Sequence, residues 1–133
     1  MASNLFLSNT GASTAINNLG NQFNSGFIDL YAGTQPANAN TNTSGAEFIL
    51  AECTFSTVAG TVVTSTWTAQ AMVATTCTST GICTFYRAIT SSRVAILDGS
   101  FSTASADMNA NTNNFVQGAS AQVTTFILIL PEH

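Results

Sequence analysis

The sequence predicts an all-β fold: a single antiparallel β-sandwich, jelly-roll-like, with one short N-terminal helix. Three observations carry this. Short runs rich in Val, Ile, Phe and Thr alternate with Gly, Asn, Ser and Pro turn signals. Beyond residue 25 there is no amphipathic helical stretch of any length. Charge is nearly absent, at 6% of 133 residues, against about 25% in ordinary globular proteins. With 45% hydrophobic residues the chain is too apolar for a disordered tail and long enough to enclose one core. Residues 1–12 read as an N-terminal arm and 13–133 as one domain, with no internal repeat and no linker.

The arm holds one apolar knot, Leu5-Phe6-Leu7, either a first strand or a segment reaching a neighbour. A short helix follows from Ser13 to Phe23, capped by Ser13 or Thr14, with Ile16, Leu19 and Phe23 at helical spacing. Phe27 to Tyr31 is a compact strand. Gly33 to Gly45 is an Asn- and Thr-rich loop around Pro36, long for a compact domain and so a candidate contact element. Glu47 to Phe55 is a strand with Ile49, Ala51, Cys53 and Phe55 on one parity and Phe48 and Leu50 on the other. Residues 56–80 hold two short strands of unfixed register. Ile82 to Ile89 and Arg93 to Leu97 form a hairpin about Thr90-Ser91-Ser92, and Asp98-Gly99 is a turn signal. Gln117-Gly118 then turns into a long last strand. Its first half alternates, with Ala121, Val123 and Thr125 on one side. From Phe126 to Leu130 both sides are apolar, as in a strand covered on both faces, and Pro131 ends it.

The chain has no lysine, and its two cations are Arg87 and Arg93, for a net charge of −4. Such a balance argues against nucleic acid and anionic membranes as partners, because phosphate binding needs clustered Lys or Arg. It also leaves sheet edges without the Lys residues that keep free monomers apart, which favours life in an assembly. No basic, long-apolar leader is readable at the N-terminus, which points to cytoplasmic synthesis.

No catalytic, cofactor-binding or metal-ligating set is readable. The only histidine is His133, no Gly-x-Ser-x-Gly or Cys-x-x-Cys occurs, and no phosphate-cradling loop with Lys is present. Glu47 and Glu52 differ in strand parity and do not share a face. Asp29 sits between apolar strand neighbours and reads as an outward-facing residue or one bonded to backbone. Asp98 reads as turn chemistry, and Asp107 lies in a Ser- and Asn-rich loop that lacks the carboxylates of a calcium site. Cys53, Cys77 and Cys83 read as buried thiols, although Cys77 and Cys83 could face each other across a hairpin. Trp67 reads as core. Arg87 follows Cys83 and Phe85 on their parity, and is either an interface anchor or an exposed strand end. Asn42-Thr-Ser44 matches a glycosylation acceptor but carries little meaning without a secretion signal.

Three stretches carry a family likeness. They are Leu30-Tyr-Ala-Gly-Thr-Gln-Pro-Ala37 with the loop to Gly45; Thr84-Phe-Tyr-Arg87; and Leu97-Asp-Gly-Ser-Phe-Ser-Thr-Ala-Ser-Ala-Asp-Met-Asn109 with Phe115-Val-Gln-Gly118 and the closing strand. In order and spacing, over about residues 13–131, the chain resembles a family of small tailed-phage virion structural proteins. It departs from that pattern with Ala32 in the tyrosine turn and Ser105 where a Gly often stands. The resemblance implies a β-sandwich component of the virion, assembled in the host cytoplasm, and carries no catalytic residues with it.

The expected function is therefore non-enzymatic: a capsid decoration, or cement, protein. The expected partners are the major capsid protein and further copies of the chain, as a homotrimer or homodimer, with no nucleic acid, membrane, cofactor or metal. Leu5, Phe6 and Leu7, Thr34, Gln35 and Pro36, and Arg87 are the expected interface residues. The alternatives are a head–tail joining, tail or fibre-associated virion protein. A carbohydrate-binding or hydrolytic β-sandwich is a third reading, and needs clustered aromatics or a carboxylate pair.

Overall fold

The computed structural model describes residues 8–41, 47–110, 112–123 and 125–129. Its helix α1 (Asn9–Asn21) begins before the expected start and inside the stretch read as an arm. The cap is Ser8, not Ser13 or Thr14: extended backbone there lets the Ser8 hydroxyl accept from Gly11 N at 3.0 Å. Ala12 and Ile16 are both buried, so the apolar stripe starts one turn earlier than Ile16 alone suggested.

Strands β1 (Phe27–Ala32), β2 (Phe48–Thr54), β3 (Gly60–Val63), β4 (Thr66–Ala69), β5 (Thr75–Thr76), β6 (Gly81–Ile82), β7 (Phe85–Ile89), β8 (Ala95–Ser102), β9 (Met108–Asn109), β10 (Asn114–Phe115), β11 (Ser120–Ala121) and β12 (Ile127–Ile129) follow in chain order. They make a five-stranded sheet, β2-β1-β7-β8-β9, a three-stranded sheet, β12-β4-β3, and two short pairs, β10-β6 and β11-β5. All pairings are antiparallel except β8 with β9. The molecule is thus mostly β with one short helix, its strands divided among several small sheets.

The core is held by aromatic contacts between these sheets. Phe126 meets Phe55, Trp67 and Tyr86 at ring distances of 6.1, 6.2 and 5.6 Å. Phe23, just past α1, stacks on Phe55 at 5.3 Å and tilts against Trp67 at 5.9 Å. Phe23 from the helix end, Tyr86 and Trp67 from the two main sheets, Phe55 just past β2 and Phe126 from the C-terminal segment therefore meet in one cluster, and Trp67 is fully buried as expected. A register shift opposite Leu30/Tyr31 lets Leu50 join Ala51 in the core, while Phe48 stays exposed.

Three expectations change. Asp98-Gly99 is not a turn: both lie inside β8, opposite Arg87 and Tyr86. Glycine is needed at 99 because a Cβ there would collide with the Tyr86 ring. Ile82–Ile89 is broken into β6 and β7, which join different sheets. The last strand is also split, β11 pairing with β5 and β12 with β4. The three cysteines are free and buried, as expected, and because β5 and β6 pair with β11 and β10 rather than with each other, Cys77 and Cys83 do not face across a hairpin.

Candidate functional site

One face of the five-stranded sheet carries a row of charge. Strand pairing places Glu52 of β2 beside Asp29 of β1, Asp29 beside Arg87 of β7, and Arg87 beside Asp98 of β8. These positions share the parity opposite to Ile28, Leu30, Tyr86 and Ala88, which enter the main core. Arg87 grips Asp98 with two bonds, Nε to Oδ1 at 2.6 Å and Nη2 to Oδ2 at 2.8 Å, with side chains only 7% and 4% exposed. Arg93, in left-handed backbone after the β7–β8 turn, reaches back to Glu52 with bonds of 2.8 and 3.1 Å. Its guanidinium also lies 4.4 Å from the centre of the Phe27 ring. Both cations of the chain are therefore committed to internal carboxylates. Arg87 is not an exposed strand end.

Asp29 is the unusual member. It is buried, its Oδ1 has no hydrogen-bond partner, and burial pushes its carboxyl up to about 8, helped by a hydrogen bond with Glu52 and by that group's charge. The bonds from Arg93 hold the Glu52 carboxyl below its ordinary value. The row is thus Glu52 ionised, Asp29 protonated, Arg87 and Arg93 cationic, and Asp98 in its ion pair. Sequence spacing could not reveal this, because it exists only through strand register. The available signal was Asp29 and Arg87 interrupting apolar strands on one parity.

This face supplies both features that the carbohydrate reading called for, a carboxyl pair and an aromatic pair. Both are largely covered, with Asp29 and Phe85 buried and Glu52 and Tyr31 half-buried. Tyr31 stacks on Phe85 at 5.0 Å, but Phe85 is fully buried. Asp29 and Glu52 are in hydrogen-bond contact, whereas carboxyl groups that flank a glycosidic bond stand about 5 Å or more apart. Among the described residues no group of three or more His, Cys, Asp or Glu could hold a metal ion, and no helix is long and apolar enough to cross a membrane. Burial pushes the Cys83 thiol up to about 12 and raises that of Cys53, so neither is a ready nucleophile.

The three-stranded sheet offers a different surface. Its inner parity is Val62, Trp67, Ala69 and Leu128, and its outer parity is Thr61, Val63, Thr66, Thr68, Ile127 and Ile129. Val63, Ile127 and Ile129 are 75%, 46% and 67% exposed. The two-sided burial expected of Phe126–Leu130 is thus half met within the chain: Phe126 is buried and Leu128 packs on the core, while Ile127 and Ile129 face outward. Leu130 and Pro131 lie outside the described residues. Strand β12 is an edge of its sheet, and among the described residues no charged side chain lies on this face.

Of the expected contact residues, Thr34 and Gln35 are exposed and Pro36 half-buried, in a stretch without regular structure after Gly33. Thr84 Oγ1 donates to the Gly33 carbonyl and ties the start of this loop to the β6–β7 connection. Leu5, Phe6 and Leu7, and Asn42-Thr-Ser44, lie outside the described residues. A cavity of about 490 Å³ opens elsewhere, walled by Leu30, Phe101, Met108, Phe115, Ala121 and Val123 among others. No family model, curated protein or solved structure matches the chain.

Proposed function

We propose that the chain is a non-enzymatic structural protein of a tailed-phage virion, a capsid decoration protein folded as a jelly-roll-like β-sandwich. The five-stranded and three-stranded sheets would be the two layers, with the Trp67–Phe126 cluster between them. The resemblance in Leu30–Ala37, Thr84–Arg87, Leu97–Asn109 and Phe115–Gly118 supplies the virion context. The observation that carries an assembly role is the surface. Both arginines are paired with the chain's own carboxylates, Arg87 buried and Arg93 exposed, while Val63, Ile127 and Ile129 are exposed on a sheet that has an edge strand and no charged residue among its described positions. Such a surface suits protein contacts made once and kept. It gives no grip on phosphate.

In this reading the partners are the major capsid protein and further copies of the chain. Contacts present only in the closed shell favour that shell over its dissociated parts, and weak contacts repeated over a lattice add through multivalency. The exposed Thr34-Gln35 loop and the β12 edge are the contact elements within the described chain. Purified protein mixed with isolated capsids and, separately, isolated tails tests this. The expected result is saturable co-sedimentation with capsids and raised shell resistance to heat. Binding to tails alone would place the chain at the neck or tail instead.

A further inference from the structure

We propose that the cavity is a socket for the N-terminal arm of a second copy, with Phe6 and its leucine neighbours as the plug. This deepens the reading of the chain as a self-associating assembly protein, and rests on it for the expectation that copies meet. The cavity's size falls within the range of sites that hold a compact ligand, about 300–1,000 Å³. It is walled by Leu30 of β1, Phe101 of β8, Met108 of β9, Phe115 of β10, Ala121 of β11 and Val123, and none of the described residues that line it is charged. Ser120, Thr125 and Gln122 add hydroxyl and amide groups to the wall, which an inserted peptide needs for its backbone N–H and C=O groups.

Three stretches of more than one residue lie outside the described residues and could fill it. Residues 42–46 are Asn-Thr-Ser-Gly-Ala, with no large apolar side chain, and 130–133 are Leu-Pro-Glu-His, carrying a carboxylate. Residues 1–7, Met-Ala-Ser-Asn-Leu-Phe-Leu, contain three consecutive large apolar residues and no charged side chain. Only this segment matches an uncharged, apolar-walled socket.

Geometry then decides between its own chain and a neighbour. Ser13 donates to the Thr64 carbonyl at the β3–β4 tip, and Gly20 lies against Trp67, so α1 runs along β4 with its N-terminus beyond the tip. The cavity lies at the other end, since Ala69 N bonds the Phe126 carbonyl and Val123 and Thr125 line the wall beyond it. From Thr64 to Ala69 is five strand residues, about 17 Å, and from Ser13 back to Ser8 adds about 7 Å of helix. Leu5 is three residues from Ser8, a reach of about 10 Å. An arm tethered about 24 Å from the socket and reaching about 10 Å does not enter its own cavity. It enters that of a neighbour. Exchange of this kind closes as a reciprocal dimer or as a ring.

The test uses the full chain in solution, without capsids. Sedimentation equilibrium should show self-association that Phe6→Ser with Leu7→Ser weakens about tenfold or more. Ala110→Trp, which fills the socket from its wall, should do the same, and mixing the two variants should restore a complex through the one arm and one socket left intact. Should Ala110→Trp fail to fold, the methyl resonances of Met108 and Val123 serve instead: they should shift with concentration in the parent chain and not in the Phe6→Ser, Leu7→Ser variant. Three results overturn the proposal: a parent chain monomeric at all concentrations, self-association indifferent to the arm substitutions, or association lost with them while the Met108 methyl never moves. A monomer that still coats capsids would overturn this inference and leave the decoration reading standing. An arm-exchanged oligomer that ignores capsids would do the reverse.

Discussion

Asp29 ties the charge row to stability through its proton. Its carboxyl is raised from 3.8 to about 8, chiefly by burial. A raised acid contributes stability in full below its unfolded value and loses it as pH climbs to the folded one, so stability should fall from mildly acidic pH toward about 8. Glu52 is lowered by its bonds to Arg93 and works in the opposite sense, its contribution disappearing as pH drops below its ordinary 4.5. The chain should therefore be most stable in mildly acid solution. Asp29→Asn keeps the shape and can still donate to Glu52, so urea unfolding across pH should show a flatter profile and higher stability than the parent at pH 8 and above. An unchanged slope would mean that Asp29 does not hold that proton. Arg87 answers differently. Arg87→Met strands the Asp98 carboxylate with its side chain 4% exposed, and should cost about 3–5 kcal/mol in chemical denaturation. Replacing Asp98 by Leu as well should recover most of that loss, since a buried pair exchanged whole for apolar groups is often near neutral.

Helix α1 and the β3–β4 hairpin form a unit built around Trp67. Gly20 in the helix and Gly60 in β3 both lie so close to the indole that a Cβ at either would overlap it. Helix propensity alone predicts that Gly20→Ala stabilises α1 by about 1 kcal/mol. Overpacking against Trp67 predicts the opposite sign, a net loss of about 1–3 kcal/mol, and thermal unfolding distinguishes them directly. At the hairpin tip Thr64 holds φ +57°, a conformation that costs a β-branched residue strain. Thr64→Gly should thus raise stability by up to about 1 kcal/mol, since the Ser13 contact is made to its backbone carbonyl. These elements also mark what the sequence could and could not convey. Phe27–Tyr31, the hairpin after Ile89, the Gln117-Gly118 turn and the burial of Trp67 were legible, because each follows from local periodicity or from a turn residue. Asp98-Gly99 was misread because a glycine that makes room for Tyr86 looks like a glycine that makes a turn. The last strand was misread as continuous because alternation does not say which sheet receives each half. The charge row was invisible for a related reason: Glu52, Asp29, Arg87 and Asp98 are neighbours only across strands. Ser105 was not legible either: it holds φ +58°, the left-handed backbone that glycine adopts without cost and that nothing in its local sequence signals.

At the scale of the molecule the decisive property is what the surface lacks. A lysine-free, charge-poor chain whose two arginines are both paired with its own carboxylates exposes Val63, Ile127 and Ile129 on an open-edged sheet. In a free monomer that is an aggregation hazard. In a closed assembly it is an interface. Introducing lysine on this face, as Ile129→Lys, should leave folding intact because the side chain is 67% exposed, while weakening capsid binding wherever the β12 edge is part of the contact. Cryo-electron microscopy of virions that carry the chain tests the central claim most directly. The account predicts density matching the two main sheets at regular positions over the outer capsid lattice, in copy number comparable to the major capsid protein. Density confined to a ring at the neck, or to the tail, would contradict it.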